Sequence, residues 1–290
     1  MTAIQPTHQA AEARIFVGDC REILPRLPKK TVNCVVTSPP YWNLRDYDVG
    51  GQIGIEGTIQ EYVSSLVDVF GLVRDVLRDD GTVWLVLGDS YAQSEIRNRQ
   101  GQSEFSILRD DHDARTKNHQ VGRKVNHGLK NKNLIGMPWR IALALQDDGW
   151  ILRSDIIWSK PNAMPESAKD RPTKSHEYVF LLAKRQKYYY DYRSIQVPSK
   201  EGGRKNKRTV WQIPVGRSPG VHFATFPQPL AEACVLAGCP EKGTVLDPFL
   251  GSGVTSLVAR DCGCRSIGIE INEEYAKLAY DRLRQRSLLA

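Results

Sequence analysis

The chain has 290 residues, enough for one large core or one core with a small appended lobe. Its 41% hydrophobic and 25% charged content is that of a globular protein, and no apolar run approaches the roughly 20 residues that a membrane span requires. A net charge of +7 favours a polyanionic partner without identifying one.

Met1 to Ala13 lacks the basic and apolar regions of a signal peptide, which implies a cytoplasmic protein. Arg14 to Gly18 reads as a strand, ended by Asp19 before a short helical segment, Arg21 to Leu27, that Pro28 closes. A carboxylate there can accept a hydrogen bond from a ligand's amino group or cap the helix, and the two readings stand even. Val32 to Val36 is short and β-branched, the pattern of a buried strand. It runs into Thr37-Ser38-Pro39-Pro40-Tyr41-Trp42. Neither proline has an N–H for the ladder, so the backbone leaves the sheet at Ser38, at the carboxyl edge where α/β proteins place ligands. Taken alone, the hexapeptide reads first as a turn with two core aromatics; the sharper reading is a site for chemistry on a flat, polar ring.

The polar loop Asn43 to Gly57 has the length of a mobile cover. Tyr62 to Leu77 carries apolar residues at helical spacing, Asp79-Asp80-Gly81 ends that helix, and Thr82 to Leu87 is the next strand. Gln93 to Asn133 is polar, without apolar periodicity, and is expected to be functional or disordered. Its histidines, His112, His119 and His127, lack partner cysteines or regular spacing, and the six cysteines show no Cys-x-x-Cys pair; no metal site is read, and reduced thiols are expected.

A helix from Met137 to Gln146 and a strand from Trp150 to Trp158 follow, stopped by Lys160-Pro161. A second polar loop, Asn162 to Lys174, leads to the strand His176 to Ala183. Lys200 to Arg208 holds five Lys or Arg against one Glu, a solvated loop or a nucleic-acid contact. The chain closes with a helix Pro229 to Ala237, strand Gly243 to Asp247, helix Val254 to Arg260, strand Ser266 to Glu270, and a helix capped by Asn272 that runs through Arg284. Strands alternating with helices imply an α/β fold with a doubly wound, mainly parallel sheet.

Asp247-Pro248-Phe249-Leu250-Gly251-Ser252-Gly253 is a strand-to-helix turn with glycines where a ligand would press on the backbone. A Walker loop needs a lysine that is missing here, and a dinucleotide fingerprint needs a third glycine where Ser256 stands. A nucleoside ligand without pyrophosphate remains, with Glu270 placed to take both ribose hydroxyls; a plain glycine turn followed by a strand-end acid is the bland alternative.

Together, Ser38-Pro39-Pro40-Tyr41 and the Asp-Pro-Phe-x-Gly-x-Gly loop resemble the catalytic and cofactor motifs of the DNA amino-methyltransferases that use S-adenosylmethionine, over nearly the whole chain. The catalytic strand precedes the cofactor loop, the permuted order of the β class. The resemblance implies a Rossmann-like methyltransferase fold, a single catalytic domain over residues 1–290, and candidate target-recognition segments at 93–133 and 192–221. It implies a cofactor site formed by Asp19 (toward the adenine amino group), Thr37, Asp247, Pro248, Phe249, Gly251, Gly253, Glu270 and Asn272. The segment His222 to Pro227, with Phe223 and Thr225, would line the methionine end.

In the reaction so implied, Ser38 Oγ and the Pro39 carbonyl accept the two N–H bonds of an exocyclic amine, and Tyr41 stacks on the base, worth roughly 1–3 kcal/mol. The methyl passes in line to nitrogen, and the proton leaves afterwards. The base must be flipped from double-stranded DNA, which needs phosphate grips, for which Arg123, Lys124, Lys130, Lys132, Arg204, Lys205, Lys207 and Arg208 are the candidates. Ser in the first motif position points to cytosine N4, with adenine N6 as the alternative. The resemblance is compatible with a separately acting restriction endonuclease and with a homodimer, and decides neither. Methyltransferases acting on RNA or protein glutamine carry the two motifs in the reverse order. A DNA-binding protein with a vestigial pocket would carry a damaged loop, and both motifs are intact here.

Overall fold

The central strands are buried on both faces over most of their length, and the reason is visible in the computed structural model, which describes residues 4–10, 12–44, 49–92, 128–216 and 226–287. The elements in chain order are β1 (His8–Ala10), β2 (Ala13–Val17), α1 (Cys20–Ile23), β3 (Val32–Thr37), α2 (Ile59–Val76), β4 (Leu77–Leu87), α3 (Met137–Asp147), β5 (Ile151–Ser159) and β6 (His176–Ala183). They continue with β7 (Val197–Pro198), β8 (Arg204–Lys205), β9 (Val210–Gln212), α4 (Gln228–Gly238), β10 (Thr244–Asp247), α5 (Val254–Asp261), β11 (Arg265–Glu270) and α6 (Glu273–Ser287). Among the described residues one sheet has the order β1-β2-β11-β10-β3-β4-β6-β5-β9, and β7 pairs only with β8.

The run β2-β11-β10-β3-β4 is parallel throughout, while β6 is antiparallel to both of its neighbours. Along β3 and β4 alternate side chains enter different cores. Val35, Val83 and Leu85 pack with α2 and α3, whereas Cys34, Val36, Trp84 and Val86 pack with α4. Burial on both faces is what a parallel sheet with helices on each side demands, and the expected doubly wound architecture is what forms.

Element boundaries depart most from the sequence reading at three places. The helix expected from Tyr62 begins a turn earlier, because Thr58 and Glu61 form a reciprocal capping box. Its expected end at Asp79-Asp80-Gly81 is already strand: β4 starts at Leu77, directly after α2, and its pairing with β3 shifts register between Val32 and Cys34. The segment expected as a helix from Arg21 to Leu27 is one α turn followed by a 3-10 turn, Leu24–Arg26, because Pro25 cannot continue the α hydrogen bonding.

Gly253 ends the loop after β10 and opens α5 in a left-handed conformation (φ 86°), and a Cβ there would lie 2.7 Å from the Cβ of Ala279 on α6. Its role is close packing of α5 against α6. Gly253→Ala is expected to lower stability by about 1–3 kcal/mol, combining overpacking and backbone strain; a denaturant midpoint equal to that of the wild type would refute this.

Candidate active site

The register Val245↔Cys34 and Leu246↔Val35 sets β10 beside β3, so the turn leaving β3 and the loop leaving β10 emerge next to one another. A buried polar contact joins them. Thr37 Oγ1 donates to Asp247 Oδ1 at 2.6 Å, Phe249 N donates to the same oxygen at 3.0 Å, and Thr255 Oγ1 donates to Oδ2 at 2.7 Å. Burial pushes the Asp247 carboxyl up to about 6 from 3.8, and these three bonds hold it back from rising further.

One cavity lies over both loops. Its walls include Ser38 to Tyr41 from the turn, Asp247 to Ser252 from the loop, Gly18 and Asp19 from the end of β2, and Glu270, Ile271 and Tyr275 from the end of β11 and the start of α6. Gln52 and Ile53, both buried, come from the loop expected as a cover and close over the cavity, and Phe226 lines it from before α4. That loop is tied down by Asn43 N to Gly54 O at 2.6 Å and by Arg21 Nη2 to Gly51 O at 2.6 Å.

Glu270 is nine-tenths buried at this cavity. Gly251 N donates to its Oε2 at 2.7 Å and Asn272 N to its Oε1 at 2.9 Å, and the Ile271 N–H also pulls on the carboxylate. Burial raises its pKa from 4.5 to about 7 against the pull of those N–H groups, with the Asp247 charge adding to the rise. A Cβ on Gly251 would meet nothing closer than 4.0 Å, so the backbone there borders open space, as a ligand pressed on the loop would need.

Asp19 does cap α1, accepting from Arg21 N at 2.8 Å, and the Arg21 side chain grips both its oxygens. Burial works to raise its pKa, but the Arg21 bonds win and hold it below the ordinary value. It also lines the cavity, so the cap and the ligand contact are not exclusive.

Three residues expected at the cofactor site make contacts within the fold. Thr37 is fully buried behind the wall as the donor to Asp247. Gly253 faces α6, and Asn272 caps α6 by accepting from Glu274 N at 2.9 Å and Tyr275 N at 3.2 Å. None of the three lines the cavity. Phe223 and Thr225, like Arg123 and Lys124, lie outside the described residues.

Of the remaining cationic candidates, Lys132 is ion-paired with Asp170 at 2.7 Å and Lys130 is exposed. Arg204 donates to Gln196 O at 2.6 Å, and the Lys207 ammonium sits 5.1 Å from the Trp211 ring centroid. Lys205 and Arg208 belong to the same stretch, which leads into β9 at the far edge of the sheet, four strands from β3 or about 19 Å. The fold thus gathers the Ser38–Tyr41 turn and the Asp247–Ser252 loop, and none of the described basic candidates lines the cavity.

Two contributors went unread in the sequence. Tyr62, which reads only as an apolar position of α2, donates its hydroxyl to the Pro40 carbonyl at 2.7 Å and fixes the turn. Glu177 on β6 accepts from the Tyr41 hydroxyl at 2.7 Å and from Lys160. No local signal marks either, because each acts on a residue far away in sequence.

The family model described as DNA methylase matches residues 32–281. The type II methyltransferase M.SmaI of Serratia marcescens is 51% identical over 277 residues, covering 94% of this chain and 91% of that one. M.Cfr9I of Citrobacter freundii is 46% identical over 276 residues, covering 94% and 88%. Among solved structures, the cytosine-N4-specific PvuII DNA methyltransferase shares the fold with a TM-score of 0.70 at 19% identity, over 97% of this chain and 93% of that one. A putative DNA modification methylase of Thermus thermophilus, solved with S-adenosyl-L-methionine, gives 0.63 at 25% identity over 94% and 93%.

Thr37→Val removes one of the bonds that hold the buried Asp247 carboxylate. It is expected to cost about 1–3 kcal/mol of stability. Equilibrium unfolding that gives a loss well under 1 kcal/mol would show that the contact carries little.

Proposed function

The chain belongs to the DNA methylase family, and from that membership we propose that it transfers a methyl group from S-adenosylmethionine to the exocyclic N4 amine of a cytosine flipped out of double-stranded DNA. The observation that carries this reading is the single cavity in which the Ser38-Pro39-Pro40-Tyr41 turn faces the Asp247–Ser252 loop.

The cavity residues fit the cofactor. Glu270 is an acceptor-bearing carboxylate buried at the wall, suited to a pair of ribose hydroxyls, and Asp19 and Phe249 supply an acceptor and a flat apolar face for a purine. Bound there, S-adenosylmethionine supplies an electrophilic methyl group. The chain's own task is to make a poor nucleophile attack. The lone pair of a nucleobase amine is delocalised into its ring, and acceptors for both N–H bonds favour a tetrahedral nitrogen that localises it. Ser38 Oγ and the Pro39 carbonyl are assigned to those bonds. Tyr62 occupies the neighbouring Pro40 carbonyl and holds the turn so that both acceptors are aimed before the base arrives. Tyr41 borders the same cavity, placed for stacking on the base.

Cytosine N4 is preferred over adenine N6 because Ser38 opens the motif. The grips on the phosphates are assigned to Lys130, Lys205 and Arg208 with the basic residues of the 93–133 segment, and base reading to 93–133 and 192–221. In this reading the protein works in the cytoplasm beside a restriction endonuclease that acts separately.

Offered tritiated S-adenosylmethionine and unmodified double-stranded DNA, the protein is expected to yield N4-methylcytosine on nucleoside analysis. Label recovered as N6-methyladenine would move the reading to adenine, and label confined to RNA or protein would reject it. Ser38→Ala is expected to lower turnover by a factor of roughly 100 or more while cofactor affinity stays nearly constant; a matching loss of cofactor affinity would count against the assigned hydroxyl.

Glu270 offers two acceptors only when ionised. With its pKa at about 7, cofactor affinity is expected to rise as pH climbs through neutrality. Glu270→Gln should bind roughly tenfold more weakly at about pH 8 and lose that pH dependence. Calorimetric titration at several pH values checks it; an unchanged slope in the variant would assign the titration elsewhere.

A further inference from the structure

The loop between β5 and β6 passes beside the cavity. β6 is antiparallel to both β4 and β5, so β5 runs in the direction of β3 and β4 and ends at the edge where Ser38–Tyr41 leaves the sheet. Lys160, the first residue past β5, donates to the Glu177 carboxylate that also accepts from the Tyr41 hydroxyl. Asn162 grips the backbone of Val215 at two points: its Nδ2 donates to the Val215 carbonyl at 3.1 Å, and its Oδ1 accepts from Val215 N at 2.7 Å. At the next residue, Gly216, a Cβ would lie 3.9 Å from Pro227 Cβ, and Pro227 follows Phe226 on the cavity wall. The start of the loop is thus tied toward two residues that border the cavity, Tyr41 and Phe226.

From this stretch Met164 projects into solvent, 82% exposed, more than any other large apolar residue described. A residue that precedes a proline is driven to an extended conformation, and Pro165 follows Met164. The loop behind it is pinned. Lys160 N donates to Ser175 O at 2.8 Å across its base, and Ala163 N donates to Lys160 O at 3.1 Å. Arg171 pairs with Glu166, and its guanidinium lies 3.9 Å from the ring centroid of Tyr91, past the end of β4. Between Lys160 and Lys174, four Lys or Arg stand against two acids, a balance that suits a polyanion lying over the loop.

When a nucleotide swings out of a duplex, it leaves a gap between two flat, apolar base faces. A charged side chain entering that gap would lose its water and find no partner. An unbranched thioether has the rotational freedom to fill an irregular space, and its sulfur packs well on aromatic rings. Apolar side chains wedge between base steps in this way in proteins that kink DNA.

We propose that Met164 enters the base stack of the duplex at the position the target nucleotide vacates, and so holds the flipped state open. This rests on the reading of the Ser38–Tyr41 turn as acting on a flipped-out base.

Met164→Ala and Met164→Leu test it on a duplex carrying the site that the wild type methylates. Met164→Ala is expected to lower single-turnover methylation roughly tenfold, with the cofactor Kd and the thermal midpoint equal to those of the wild type. Met164→Leu keeps an apolar side chain of similar volume and should stay within about twofold of the wild type. A mismatch at the target pair makes flipping easier, so on that duplex Met164→Ala and the wild type should agree within about twofold. With 2-aminopurine in the target position, the fluorescence rise on binding should be smaller for Met164→Ala.

Equal rates for Met164→Ala and the wild type on the matched duplex overturn the proposal, as does an undiminished loss on the mismatched one. A wild type that methylated no exocyclic amine of duplex DNA would instead sink the flipped-base reading, and this proposal with it.

Discussion

A single buried carboxylate holds the working parts of this protein together. Asp247 has lost its water, and an isolated charge there would be costly, so its oxygens must find donors within the fold. They find three: a hydroxyl from the strand that leads into the Ser38–Tyr41 turn, a backbone N–H of its own loop, and a hydroxyl from the helix that follows. Each bond limits where the other two can be. Two loops more than two hundred residues apart in sequence are thereby set within hydrogen-bonding distance of one another.

Around that contact the recognisable motifs divide into two kinds of residue. Some face the cavity, among them Ser38, Phe249, Gly251 and Glu270. Others support those: Thr37 and Asp247 bind each other, Gly253 admits α6, and Asn272 both caps α6 and donates to Glu270. A motif of this type is a composite of binding surface and scaffold, because a loop that presents its backbone to a ligand must have that backbone fixed from behind.

The Ser38–Tyr41 turn shows the same division. Its prolines cannot join the sheet, which frees the chain to leave it, but freedom alone aims nothing. Aim comes from Tyr62 on the Pro40 carbonyl and from Glu177 on the Tyr41 hydroxyl, and both supports arise from elements packed against the turn. The covering loop behaves similarly, since Arg21 joins it to the same Asp19 that borders the cavity.

The sequence by itself determined the alternation of strand and helix, the interruption at Pro39-Pro40, the glycine loop after β10 and the strand-end acids. Each is a local property: a period of hydrophobicity, a missing N–H, a pair of glycines in a strand-to-helix turn, a charge at a strand's end. It misplaced the junction between α2 and β4, where Leu77 pairs with Val32 directly after the helix and pairing with β3 resumes only at Thr82. Only the tertiary structure decided that Thr37 bonds to Asp247, that Asp19 both caps a helix and borders the cavity, and that Tyr62 and Glu177 hold the turn. Those contacts join residues distant along the chain, and hydrophobic periodicity says which face a residue takes without saying which partner it meets there.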